Sequence, residues 1–141
     1  MFGLIGGKAN AIAPEKRMLS AMTPTIVEKD GALSMIVGTP GGYTIITSVL
    51  QTILNVYEFK MTMQEAVSAP RFHHQWLPDV VIFEPKRFDS ILIKNIQAKG
   101  YDIKEEYTRI IGRVDAIHVS DKKKITTGAD PRGDDQAIHL Y

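Results

Sequence analysis

A chain of 141 residues is the size of one domain or of part of one, and too short for two ordinary domains. With 44% apolar and 23% charged residues, its composition is that of a folded globular chain and not of a disordered one. Its 17 Lys and Arg against 16 Asp and Glu leave a net charge of +1, which supplies no field to draw in nucleic acid or an anionic membrane. The absence of cysteine excludes disulfides, thiolate metal sites and cysteine nucleophiles. No apolar run approaches the roughly 18 residues of a membrane span. The apolar start, Met1 to Gly7, is short, lacks a preceding basic region and does not read as a secretory signal.

In chain order, residues 1–23 are rich in Gly, Ala and turn formers and read as a loop or irregular lead-in. Within it, Asn10, Lys16, Arg17, Ser20 and Thr23 could hold a carboxylate, or could cap local backbone or face solvent. Thr25-Ile26-Val27 and Leu33 to Val37 flank Asp30-Gly31, a hairpin pattern in which Gly supplies the positive φ of the turn. Thr39-Pro40-Gly41-Gly42 then separates this strand from a helix starting near Gly42. The first amides of a helix have no internal partner and the helix dipole makes that end positive, so the turn suits an anion or oxyanion. A tight turn with no ligand fits the same residues, and the missing Gly-Lys-Ser/Thr excludes a Walker loop.

The helix carries Ile45, Ile46, Val49, Leu50, Ile53, Leu54 and Tyr57 on one face, expected to be the packed one. Its other face, with Thr44, Ser48, Gln51, Thr52 and Asn55, is polar but nearly uncharged, as if a further layer covered it. Thr62-Met63-Gln64-Glu65 is a capping box opening a short helix that Pro70 stops. Phe72 and Trp76 read as core anchors. His73-His74 is a poor metal pair, because neighbours on a strand point to opposite faces. Val80 to Phe83 predicts a strand, Phe88 to Lys99 with Gly100 a third helix, and Tyr101 to Ile103 the start of another strand. Val114 to Ser120 and Lys124 to Thr127 predict a second hairpin. Asp130-Pro131-Arg132-Gly133-Asp134-Asp135 predicts a turn in which Asp130 and Arg132 bond locally, and Asp134 and Asp135 have no partner that would make them a general acid and base. The order of strands, helices and strands predicts α+β with an antiparallel sheet.

Asn10 to Val27, Gly38-Thr39-Pro40-Gly41-Gly42, Ala69 to Asp79 and Gly128-Ala129-Asp130-Pro131-Arg132, in this order and spacing, resemble the gamma-glutamyltransferase (gamma-glutamyltranspeptidase) family from about Gly3 to Tyr141. The resemblance implies part of an N-terminal-nucleophile hydrolase fold, a four-layer αββα sandwich. It implies a self-cleaving precursor whose new N-terminal Thr attacks the gamma-glutamyl amide of a small molecule such as glutathione. The acyl group then passes to water, an amino acid or a peptide, with no metal or organic cofactor, in a periplasmic or extracellular setting. Gly41 and Gly42 match the turn whose amides form the oxyanion hole. Ser20 matches the first of two serines that hold the substrate α-carboxylate, and Ala21 stands where the second is usual. Loss of that hydroxyl removes a charge-assisted hydrogen bond of about 1.5–3 kcal/mol.

The resemblance begins inside the small subunit, so the nucleophile is expected outside these residues. The chain then reads as the C-terminal part of that subunit, inactive alone and needing the N-terminal portion or large subunit as its partner. The alternative is a non-catalytic binding or structural module derived from the same fold. Either way, a sandwich short of strands leaves apolar faces and sheet edges uncovered, which predicts self-association or poor solubility.

Overall fold

Strands β1 (Thr25–Lys29) and β2 (Ala32–Gly38) form the expected hairpin. Asp30 and Gly31 take φ of 53° and 75° at its turn, the left-handed pair that matches the twist of the flanking strands. The computed structural model describes residues 7–17, 23–105 and 110–138. Strand β6 (Asp115–Val119) adds to the free edge of β2, and β7 (Ile125–Gly128) closes the second predicted hairpin against it. The resulting sheet has the order β1-β2-β6-β7 and is antiparallel throughout. Three α-helices lie between the two hairpins in sequence: α1 (Ile45–Tyr57), α2 (Met63–Ser68) and α3 (Ser90–Ala98). The capping box of α2 forms as read: Thr62 Oγ1 accepts from the Glu65 amide, and Glu65 accepts from the Thr62 amide.

A second, three-stranded sheet runs β3 (Phe72–His73), β4 (Val81–Phe83), β5 (Ile103–Glu105). Here β3 and β4 are antiparallel, but β4 and β5 are parallel. The parallel pair was not expected. It follows from α3, which lies between the two strands in sequence and returns the chain to the starting end of the sheet. The molecule is nonetheless α+β, with helices packed on an antiparallel sheet.

The core lies between the four-stranded sheet and helices α1 and α2. Met35, Val37, Val114 and Ala116 from the sheet side meet Val49, Val56, Met63, Ala66 and Val67. Period-2 alternation leaves Ile26, Ile36 and Ile117 on the opposite face, cross-strand neighbours in one exposed row.

Two expectations are corrected. The buried face of α1 is rotated from the predicted apolar one: Ile45 and Val49 of that face are buried and Ile53 and Tyr57 pack on the core, but Ser48, Thr52 and Val56 are buried beside them and Ile46, Leu50 and Leu54 are exposed. The small hydroxyl residues satisfy themselves inside the helix, Ser48 Oγ donating to Thr44 O at 2.8 Å and Thr52 Oγ1 to Ser48 O at 2.9 Å. Their polar groups therefore enter the interior without an unmet bond. Nor are Phe72 and Trp76 core anchors: Phe72 is 42% exposed, although it stacks on Phe83, and Trp76 is 73% exposed. At φ 74° Trp76 sits at a reversal of the chain, not in the strand alternation that would have turned it inward.

Candidate functional site

Between β2 and α1 the chain makes its most constrained turn. Gly41 has φ 149° and Gly42 φ 60°, values in the region that favours glycine. Residues Gly42–Thr44 form a single 3-10 turn leading into α1. The carbonyls of this turn are held from within. Thr39 Oγ1 donates to Pro40 O at 2.6 Å. Gly41 O accepts from the Thr44 amide at 3.2 Å and from Thr44 Oγ1 at 3.0 Å. Among the described residues, no acceptor takes the amide hydrogens of Gly41 or Gly42.

The 111–114 segment backs the turn. A Cβ on Gly41 would lie 3.3 Å from Gly112 Cα and 2.8 Å from Thr44 Oγ1. Gly112, at φ 71°, is hemmed in as tightly, since a Cβ there would lie 2.6 Å from Ser48 Oγ and 3.1 Å from Thr39 Oγ1. Two facing glycines thus let two backbones approach closer than any side chain permits. The Arg113 amide donates to Thr39 Oγ1 at 2.7 Å. In front of this contact is a cleft of about 270 Å³ lined by Pro40, Gly41, Ile110, Gly112 and Arg113.

A buried ion cluster holds the 111–114 segment in turn. Arg71, 1% exposed, pairs with Asp130, also 1% exposed, at 2.7 Å. The same guanidinium donates to Ile111 O at 3.1 Å and Gly112 O at 3.3 Å. The other Asp130 bonds run to the Val114 amide at 2.8 Å, the Arg132 amide at 3.0 Å and Arg132 Nη1 at 3.0 Å. Arg132 completes the cluster with a forked pair to Glu84, at 2.5 and 2.6 Å. Burial lowers the pKa of Arg71, as does the like charge of Arg132, against the pull of Asp130. For Asp130, burial acts upward, but the Val114 amide and the Arg71 charge outweigh it and hold the carboxyl below its ordinary value.

The residues singled out from sequence are thus distributed unevenly. Gly41 lines the cleft and Gly42 follows it as the first residue of the 3-10 turn, whereas Ser20 and Ala21 lie outside the described residues. Lys16 donates to the Ala9 and Ala11 carbonyls, the local capping role. His73, the last residue of β3, and His74 have separate partners. His73 is buried behind the turn, its ring 5.2 Å from that of Tyr43, between Thr47 Oγ1 at 2.8 Å and Gln75 Oε1 at 3.0 Å. His74 pairs with Asp79 at 2.9 Å outside. Asp130 and Arg132 do bond locally, but the cluster around them spans distant segments and includes Arg71 and Glu84, which sequence reading did not single out. Thr44 and Gly112 were not assigned to the site, and Thr39 was read only as part of the turn. An arginine amid apolar residues, Ala69-Pro70-Arg71-Phe72, was the one available signal, and it names no partner.

The gamma-glutamyltranspeptidase family model matches residues 1–140 of the chain. Over 141 residues the chain is 44% identical to the glutathione hydrolase proenzyme of Escherichia coli, covering 100% of this chain and 24% of that protein. Over 138 residues it is 42% identical to the Pseudomonas aeruginosa glutathione hydrolase proenzyme, covering 94% and 24%. The chain therefore spans about a quarter of the length of these curated relatives. Among solved structures, an acivicin-inhibited gamma-glutamyltranspeptidase superimposes with TM-score 0.80 at 45% identity, covering 95% of this chain and 72% of that one. The Bacillus anthracis transpeptidase CapD shares the fold, with TM-score 0.73 at 23% identity over 90% of this chain and 75% of that one.

Proposed function

The chain belongs to the gamma-glutamyltranspeptidase family, and from that premise we propose that it supplies the oxyanion-binding part of a gamma-glutamyl hydrolase or transferase site. In this reading a hydroxyl nucleophile, contributed from outside these 141 residues, attacks the carbonyl of a gamma-glutamyl amide such as glutathione. The carbonyl oxygen gains negative charge as the new C–O bond forms. The amides of Gly41 and Gly42 receive that charge. When the tetrahedral intermediate collapses, the C–N bond breaks and the amine leaves with a proton. Water or an amino group then takes the acyl group from the nucleophile. Ser20 holds the α-carboxylate of the gamma-glutamyl group.

The observation that carries this reading is the polarity of the turn. Its carbonyls are engaged inside the protein, while the amide hydrogens of Gly41 and Gly42 have no acceptor among the described residues and Gly41 lines an open cleft. Fixed donors of this kind stabilise a developing oxyanion without reorganising, and one such donor is worth about 10²–10³ in kcat. The exposed rows Ile26, Ile36, Ile117 and Ile46, Leu50, Leu54 support a further polypeptide layer over both faces. The nucleophile-bearing portion of the enzyme is the partner we assign to that layer.

The test is hydrolysis of a chromogenic gamma-glutamyl anilide, followed by intact mass. The 141-residue chain alone releases no anilide and stays uncleaved. Mixed or co-expressed with the nucleophile-bearing portion it turns over, and Gly41→Ala abolishes most of that turnover. Turnover by the chain alone would refute the assignment of the nucleophile. A complex that forms and stays inactive would favour the non-catalytic module.

A further inference from the structure

The hydroxyls of Thr39 and Thr44 each donate to one carbonyl of the glycine turn. In a trans peptide the C=O and N–H of one unit point in opposite directions. The Pro40 carbonyl and the Gly41 N–H belong to one such unit, and the Gly41 carbonyl and the Gly42 N–H to the next. Thr39 Oγ1 grips the first carbonyl at 2.6 Å and Thr44 Oγ1 the second at 3.0 Å. Both side chains are buried. We propose that Thr39 and Thr44 are positioning residues, each holding one peptide plane by its carbonyl so that the N–H on the far side faces the cleft.

Thr39 has the larger part. Its hydroxyl has one proton, donated to Pro40 O, and a lone pair that accepts the Arg113 amide at 2.7 Å. The orientation of the Pro40–Gly41 plane is therefore tied to the 111–114 segment, which Arg71 and Asp130 hold through Ile111 O, Gly112 O and the Val114 amide. Thr44 is the weaker grip, because Gly41 O keeps the Thr44 amide at 3.2 Å when the hydroxyl is removed. Each hydroxyl is turned to a backbone carbonyl.

This inference rests on the oxyanion reading, and two kinds of measurement separate them. The first is steady-state kinetics in the enzyme assembled with its nucleophile-bearing portion. Thr39→Val keeps the shape of the side chain and removes both bonds, and it lowers kcat by about 10–100-fold with KM for the gamma-glutamyl donor unchanged. Thr39→Ser restores kcat to within a few-fold, and Thr44→Val loses less than Thr39→Val. The second is amide NMR of the 141-residue chain. Thr39→Val shifts the Gly41 amide resonance, and Thr39→Ser leaves it in place. A Thr39→Val enzyme with unaltered kcat, or Ser and Val variants equally impaired, overturns the positioning role. If Gly41→Ala itself leaves kcat intact, the oxyanion reading falls and this inference falls with it. A Gly41→Ala defect beside a silent Thr39→Val overturns the positioning role alone.

Discussion

Asp130→Ala removes the acceptor on which four donors converge. Arg71 Nη1 at 2.7 Å, the Val114 amide at 2.8 Å, and the Arg132 amide and Nη1 at 3.0 Å all lose their carboxylate. Arg71 is left 1% exposed with its charge uncompensated, and Val114 is fully buried with an unmet N–H. Breaking a buried ion pair from one side costs about 3–5 kcal/mol. Against a total stability of about 5–15 kcal/mol for a domain, that is a large share. It corresponds to a fall of about 10–20 °C in Tm for a chain of this size. The assay is thermal and urea unfolding of the chain, followed by circular dichroism. The double variant Arg71→Met with Asp130→Ala should lose less than the sum of the two single losses, because the stranded charge is gone. A Tm within about 3 °C of the parent for Asp130→Ala, or full additivity in the double variant, would refute the view that this cluster stabilises the fold.

Acid should act through the same carboxylate. Folding holds the Asp130 pKa below its unfolded value of about 3.9, so its contribution is whole above about pH 5 and is lost as pH falls through the lower folded value; urea midpoints from pH 7 to pH 2 should show that loss and Asp130→Ala should flatten it. Asp115 behaves oppositely, since burial and then the nearby Asp135 charge raise its pKa. Asp115→Asn is therefore expected to stabilise the chain at pH 7, with a gain that vanishes below the unfolded value of about 3.9, measured as the same midpoints. Thr62→Ala removes the reciprocal cap of α2 and should cost about 1 kcal/mol in denaturant unfolding. Sedimentation should find the isolated chain above its monomer mass of 15.7 kDa, with Leu50→Glu shifting it toward monomer; a monodisperse monomer at high concentration would count against the uncovered-face argument.

Local order was legible in the residues because its causes are local. Asp30-Gly31 demands left-handed backbone, Thr62 and Glu65 lie at the spacing of a cap, and Val114 to Thr127 alternates around a lysine-rich turn. Each feature was found where it was read. The glycine turn was legible too, because two consecutive glycines before a helix are hard to use any other way. The resemblance of four separated motifs then pointed to one family, which no composition or period could do, and the family model bears it out.

What the sequence alone determined is the two hairpins, the three helices, the glycine turn and the family. What only the tertiary structure decided is what each element turns inward and which distant groups meet. Periodicity finds two faces of α1 but cannot rank them. The buried face is the one whose Ser48 and Thr52 are small enough for close approach and bond their own helix, leaving Ile46, Leu50 and Leu54 outside. Glu84 and Asp130 lie 13 and 59 positions from Arg71 along the chain, and nothing in a linear pattern pairs the three. Their meeting depends on the 111–114 segment folding back against Thr39 and Gly41, where two glycines permit the contact and a hydroxyl fastens it.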